Sequence, residues 1–225
     1  MAQRGVLVTS TVYQLRVVLA GISPMVWRRL LVPAETSIVG LHEILQTAFG
    51  WSDEHLHRFT IHAVEYGLWR AGSAGFSRDA RQVPLAGFGL RPGERFTYEY
   101  NFFAGWRHDI RVEEILSRSP RRRYPACTGG ARQAPPENCG SLEELLALRQ
   151  RWPPVLIAAR MAEILADILD ADGDTPAGEA IGDQRDELAR LLDLARLDKL
   201  DRAALNSALH ALDITPESVS DGRQQ

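Results

Sequence analysis

Four sets of residues in this chain have side chains of a type that does chemistry. Cys127, Cys139 and His108 offer two thiols and an imidazole, the donors that zinc prefers. A closed zinc site needs about four ligands, with paired cysteines usually about two to four residues apart. Here eleven residues separate them, so a metal site would have to be assembled by the fold. The competing reading packs the thiols of a Pro/Gly-rich loop against a sheet and leaves His108 to a local hydrogen bond. His55, His57 and His62 form the second set; side chains two apart on a strand point the same way, so His55 and His57 could make a small imidazole cluster. Capping and packing compete with that role.

The third set is aromatic: Trp51, Trp69, Trp106 and Phe59 would line a groove for a peptide, base or sugar, unless they are core. The fourth is basic: Arg121, Arg122 and Arg123, flanked by Arg118 and Arg132, suit phosphate contacts, unless solvent or nearby acids neutralise them. The run Asp170-x-Asp172-x-Asp174 evokes a calcium loop, but Thr175 and Ile181 stand where such a loop needs glycine and glutamate. Gly-x-Ser-x-Gly, Walker-type, dinucleotide-fingerprint and Cys-x-x-Cys motifs do not occur. Any enzyme here would use a dispersed site, and the expectation is a protein without catalysis.

Periodicity shows what must position these residues. Val12–Leu19 alternates and ends at Gly21, and Val26–Val32 follows across Ile22-Ser23-Pro24, which predicts an antiparallel hairpin. Ile38, Leu41, Ile44, Leu45, Ala48 and Phe49 recur at helical spacing, with Thr36 or Ser37 to cap the start and Gly50 to end it. His57–Tyr66 and Arg95–Tyr100 alternate again, and Trp106–Val112 completes a hairpin with the latter across 101–105. The stretch 67–94 reads as a long loop with one short strand. Residues 117–140 are rich in Arg, Pro and Gly and read as irregular. Ser141 opens a capping box, and Val155–Leu169, Gln184–Leu197 and Arg202–Leu212 are helical. The fold class expected is α+β, a mostly antiparallel sheet covered by helices, with a helical C-terminal third.

Composition bounds the rest. With 225 residues, 45% hydrophobic and 24% charged, the chain can bury a substantial core. Two cysteines, no membrane-length apolar run and no signal-like start place it in the cytoplasm with free thiols. Net charge is −3, but residues 1–140 hold 17 Lys+Arg against 12 Asp+Glu, while residues 141–225 hold 9 against 17. The two parts are therefore expected to attract each other. Arginine makes up all basic residues but Lys199, a bias that a GC-rich genome accounts for.

An ordered series of short segments then stands out: Tyr13-Gln14-Leu15, Pro24-Met25-Val26-Trp27-Arg28-Arg29, Leu41-His42-Glu43-Ile44-Leu45-Gln46, Phe49-Gly50-Trp51 and His55-Leu56-His57-Arg58-Phe59. It continues through Trp106-Arg107-His108, Cys127-Thr128-Gly129-Gly130 and Pro135-Pro136-Glu137-Asn138-Cys139-Gly140. Over residues 11–150 this set resembles the plasmid pRiA4b ORF-three-like family, some members of which are described as mobile-element passengers of the TnpR type. The resemblance implies an α+β fold and brings no settled biochemical activity. Where family members commonly carry an acidic Tyr-Asp-Phe-Gly-Asp turn, this chain has Tyr100-Asn101-Phe102-Phe103-Ala104-Gly105, with no carboxylate. Its C-terminal third also departs, after an insertion around 151–182. Neither recombinase scaffold fits an antiparallel sheet, so no strand-cleaving activity is expected.

Three units are expected: residues 1–150 as the family domain, 151–213 as a helical extension packed on it, and 214–225 as a tail. The function expected is a cytoplasmic interaction or regulatory module associated with mobile or accessory genes, its surface built around Trp51, His55, Trp106, His108 and the Arg121–Arg123 run. A protein partner or self-association is expected ahead of DNA, with no membrane and no cofactor. The alternative is a metal-dependent or nucleic-acid-acting enzyme using His55, His108 and the cysteines, with zinc the metal those ligands would suit.

Overall fold

The structure, a computed structural model, describes residues 11–67, 78–79, 83–170 and 177–212. The first hairpin forms as its alternation predicts. Strand β1 (Thr11–Leu19) pairs antiparallel with β2 (Val26–Pro33), with Leu15 opposite Leu30, Val17 opposite Arg28 and Leu19 opposite Val26. The inward face of β1 carries Tyr13, Leu15, Val17 and Leu19, all buried. The outward face is wet and charged: Arg29 bonds Glu113 at 2.5 Å, and Gln14 donates to the same carboxylate. Two-sided chemistry of this kind is what a one-face-buried antiparallel sheet requires.

Helix α1 (Ile38–Phe49) roofs the inward face. Ser37 Oγ accepts from the Gly40 N–H, and Gly50, at φ 73°, ends the helix in the left-handed conformation. The stretch His57–Tyr66, which alternates like one strand, is two: β3 (His57–Ile61) and β4 (Val64–Gly67). His62 and Ala63 turn between them at φ 50° and 62°, a pair of positive angles that Gly or Asn normally signals and that these residue types conceal. A two-residue β5 (Arg78–Asp79) pairs parallel with β4, and Leu85–Phe88 makes a single 3₁₀ turn. Trp69 and the Asp172–Asp174 stretch lie outside the described residues.

Strands β6 (Arg95–Tyr100) and β7 (Trp106–Ser117) form the expected hairpin, and β7 runs beyond Val112 to reach along all of β1. The stretch read as irregular holds one more strand, β8 (Ala126–Ala131), paired antiparallel with β2. Its glycines hide it from a propensity reading, and Gly130 is there for space: a Cβ would meet Leu200 Cδ2 at 2.6 Å and the Trp27 carbonyl oxygen at 2.8 Å. The sheet order is β5-β4-β3-β6-β7-β1-β2-β8, mostly antiparallel.

Four more helices follow: α2 (Leu142–Arg151), α3 (Pro154–Asp170), α4 (Ala177–Arg196) and α5 (Arg202–Ala211). Ser141 caps α2 by accepting from the Glu144 N–H. Helix α4 begins earlier than the polar composition around it suggests. Asp201 caps α5, whose Leu205 and Leu209 enter the main core with Leu197. Asn206 of α5 also bonds both the N–H and the carbonyl of Cys127, so the helix closes the outer edge of β8 that would otherwise stand open. Among the described residues no helix is long and apolar enough to cross a membrane.

Candidate functional site

Cross-strand register gathers an unusual row of side chains at one end of the inward face. His57 lies opposite Tyr100, and Tyr100 opposite Trp106; one step along, Phe59 faces Tyr98, which faces His108, which faces Leu19. Alternation puts all of these inward, and all are buried. On the roof, His42 and Gln46 stand one helical turn apart and reach the same patch.

These residues make a closed hydrogen-bonded circuit. Gln46 Nε2 donates to the Tyr98 hydroxyl at 2.8 Å, so the hydroxyl's own proton goes to His42 Nδ1, also at 2.8 Å. That leaves His42 protonated at Nε2, which donates to Asp53 Oδ1 at 3.0 Å. The Asp53 N–H returns to Gln46 Oε1 at 3.0 Å, closing the ring. Asp53 reaches this position at φ 61°, a left-handed angle that Asp tolerates better than most residues. Burial pushes the Tyr98 phenol well above its ordinary pKa, so it stays a neutral donor.

His42, Asp53 and His57 also offer ligand atoms within 4.8 Å of one another, the one such group of His, Cys, Asp and Glu among the described residues. The chemistry of the set suits a metal, but its geometry as folded does not. The His42 and His57 rings are stacked, 3.6 Å between centroids and 12° from parallel. An imidazole lone pair lies in the ring plane and a zinc sits about 2.0–2.1 Å along it, so two stacked rings cannot aim at one ion. Both nitrogens of His42 are committed besides.

A second cluster lies beside the first. Gly50 turns the chain so that Trp51 stacks on Tyr100, 5.1 Å between centroids, near Trp106 at 6.4 Å. Its indole N–H donates to the Pro135 carbonyl at 2.9 Å. Two residues on, Glu137 folds its carboxylate over the loop that follows Trp51. It accepts from the Ser52 N–H at 2.7 Å, the Ser52 hydroxyl at 2.5 Å, the Glu54 N–H at 3.3 Å and the Tyr100 hydroxyl. Burial pushes the Glu137 pKa up, but the Ser52 and Tyr100 bonds outweigh it, and the net shift is downward. Tyr100 moves the other way, raised by burial first and then by the bond to Glu137. Its hydroxyl also accepts from the His55 N–H at 3.2 Å.

The residues singled out in the sequence therefore part company. Trp51, Trp106 and the His55 backbone meet around Tyr100, but Trp51 and Trp106 are packed and buried, so they form a wall and not an open groove, with Phe59 wholly in the core. His55 faces Tyr100 edge-on, His57 stacks on His42, and His62 approaches Glu94 at 3.8 Å, so the three do not cluster.

His108, Cys127 and Cys139 do not converge either. Strand β7 is separated from β8 by β1 and β2, about 14 Å at ordinary strand spacing. The two thiols instead point to carbonyls two residues on, Cys127 to Gly129 within β8 at 3.2 Å and Cys139 to Ser141 at 3.5 Å. Burial holds both as protonated thiols, raising their pKa. His108 has no well-formed hydrogen bond at either nitrogen; backbone of Tyr98 and Trp106 draws its pKa slightly up, but complete burial dominates and brings it down to about 3. Arg121, Arg122 and Arg123 are exposed on the β7–β8 connection, away from these clusters, while Arg118 pairs with Glu35 and Arg132 with Asp198. Sequence reasoning missed His42, Asp53 and Glu137 as members of the site; the signal available was that Leu41-His42, Gly50-Trp51 and Pro135-Pro136-Glu137 all lie in segments that carry the family resemblance.

Fold and site together define a class: an α+β protein whose eight-stranded sheet, roofed by a helix, ends in a loop cluster held by aromatic stacking and buried hydrogen bonds. The chain belongs to the plasmid pRiA4b ORF-3-like protein family, whose model matches residues 11–154. It is 34% identical over 136 residues to the uncharacterized protein y4hQ of Sinorhizobium fredii (strain NBRC 101917 / NGR234), a match covering 58% of this chain and 68% of that one. Its fold is similar to that of the protein of unknown function MM3350 from Methanosarcina mazei Go1, with TM-score 0.61 and 24% identity over 86% of this chain and 97% of that one.

Proposed function

We propose that this chain is a non-catalytic interaction module that recognises a protein through the loop end of its sheet. The observation that carries the reading is Phe103. It is 94% exposed at the tip of the β6–β7 hairpin, next to Phe102 at 43%, directly beyond the buried Tyr100 and Trp106. A large aromatic side chain left in water is costly to display and belongs to the residue types enriched at protein interfaces. The tip that presents it is rigid: the Gly105 N–H donates to the Asn101 carbonyl at 2.7 Å, and the Ala104 N–H to Asn101 Oδ1 at 3.2 Å. Preorganisation of this sort lowers the entropy lost on binding.

The acids and phenols behind the tip are spent on one another. Glu137, Tyr100, Tyr98 and His42 each serve the loops' shape, which argues for a supporting frame over a reaction centre. Photo-crosslinking tests the proposal. A benzophenone amino acid in place of Phe103 should give one discrete adduct in cells, either with another protein or with a second copy, and the same probe at Arg122, exposed on the β7–β8 connection at the other end of β7, should not. Equal, diffuse labelling from both positions would overturn it.

A further inference from the structure

The sequence places an arginine where the β2 alternation calls for an apolar residue. Val26, Arg28, Leu30 and Val32 all point inward, and Arg28 is among the largest fully buried side chains, 2% exposed. Its Nε donates to the Ala48 carbonyl at 2.8 Å, and its Nη1 donates to the carbonyls of Trp27 and Ala131 at 2.9 and 3.1 Å. The guanidinium lies over the Phe49 ring, 5.1 Å from its centroid. Among the described residues no carboxylate pairs with it, and Nη2 has no protein acceptor although it is not sealed from solvent. Burial lowers its pKa to about 10, which still leaves it cationic at neutral pH. The three carbonyls and the Phe49 ring offset part of the cost of burying this charge, and the unused Nη2 leaves a donor for a partner from outside the chain.

The side chain borders a cleft. Arg28 lines a depression of about 480 Å³ between the end of α1 and the turn and helix at 197–208. Phe49 and Pro135 form one wall; Leu197, Ala204 and Ala208 form the other. That volume is within the usual range of small-molecule sites, roughly 300–1,000 Å³. Asp193 and Asp201 also line it, neither of them paired with Arg28; both are exposed, so solvent screens their repulsion of an anion more than it screens the attraction of the buried guanidinium, and a ligand with a second negative charge would be disfavoured.

We propose that this cleft binds a small organic monocarboxylate, its head on Arg28 Nη2 and its apolar body between Phe49 and the Ala204–Ala208 face of α5. The site is separate from the Phe103 face, and its test does not depend on that reading.

Isothermal titration of the full chain with 3-phenylpropionate, its neutral amide and acetate tests the idea. The acid should bind saturably and at least about tenfold more tightly than the amide, because one charge-assisted bond to an unpaired donor carries that ratio. Acetate should bind more weakly than the acid, since it lacks the apolar body. Ala208→Trp, on the exposed side of α5, fills the cleft without touching Arg28 and should abolish binding while the protein stays folded; Arg28→Met should abolish it as well. Equal response to acid and amide, acid binding no tighter than acetate, or binding indifferent to Ala208→Trp would each overturn the proposal.

Discussion

Glu137→Gln removes one charge from the carboxylate that ties the 133–140 loop to the loop after Trp51, and the cost can be worked from its contacts. The carboxylate accepts from two backbone N–H groups, the Ser52 hydroxyl and the Tyr100 hydroxyl. Hydrogen bonds to a charged group contribute about 1.5–3 kcal/mol when lost outright. Glutamine keeps one acceptor oxygen, and the site is partly open to solvent, which reduces the loss to about 1–2 kcal/mol. For a chain of this size that lowers Tm by about 2–8 °C. The effect has a defined pH window. The folded pKa of Glu137 is held below its ordinary 4.5, so its charge stabilises the fold fully above that value, and the contribution is lost as pH falls through the lower folded value. Urea unfolding of both proteins between pH 3 and 7 is the assay: the gap should be present at pH 5–7 and shrink as pH falls below 4.5. A gap under about 0.3 kcal/mol at pH 7, or one that stays constant down to pH 3, would refute the role assigned to this carboxylate.

Three other outcomes follow from the site. His42→Ala strands the Tyr98 hydroxyl and the Gln46 amide inside the core and should cost about 2–4 kcal/mol in urea unfolding, whereas Asp53→Asn, at the solvent side of the same circuit, should cost under about 1 kcal/mol. His108 is held neutral with a pKa of about 3 against an ordinary 6.5, so the unfolded chain takes up its proton first and stability falls as pH drops from 6.5. His108→Leu should remove about 2 kcal/mol of the loss that the parent protein shows between pH 6.5 and 5, read from urea midpoints; an unchanged slope would contradict the burial argument. Since Cys127 and Cys139 point to separate carbonyls, elemental analysis should give the same zinc content for the parent, Cys127→Ser and Cys139→Ser. A full equivalent of zinc that disappears on either substitution would show that the thiols converge in solution.

Alternation and helical period carried β1, β2, α1, β6 and β7 into view because in those segments one face is buried and the other wet. Strand β8 stayed hidden for the opposite reason: Gly129 and Gly130 are chosen for the close approach of Trp27 and Leu200, and a strand selected for thinness has no strand composition. The His62–Ala63 turn was invisible because neither residue advertises a positive φ. The candidate site was half legible. Trp51, Trp106 and His55 drew attention by type, but Glu137 acts on partners 37 to 85 residues away, and no local spacing encodes that. Arg28 is the instructive case. The alternation Val26-x-Arg28-x-Leu30 already turned it inward, and a charge on a buried stripe was a signal that hydrophobic patterning passed over.

The central claim is that the loop end of the sheet is a recognition face, and its most direct measurement is a crosslinking footprint. A photo-crosslinker is placed singly at Phe103, Glu54 and Asn138 around that end, and at Arg111 and Arg122 away from it. The account predicts the same adduct, by mass, from the first three positions and none from the other two, with Phe102→Ser abolishing the adduct from Glu54. An adduct formed equally well from Arg111 or Arg122, or no adduct from any of the three loop positions, would contradict it.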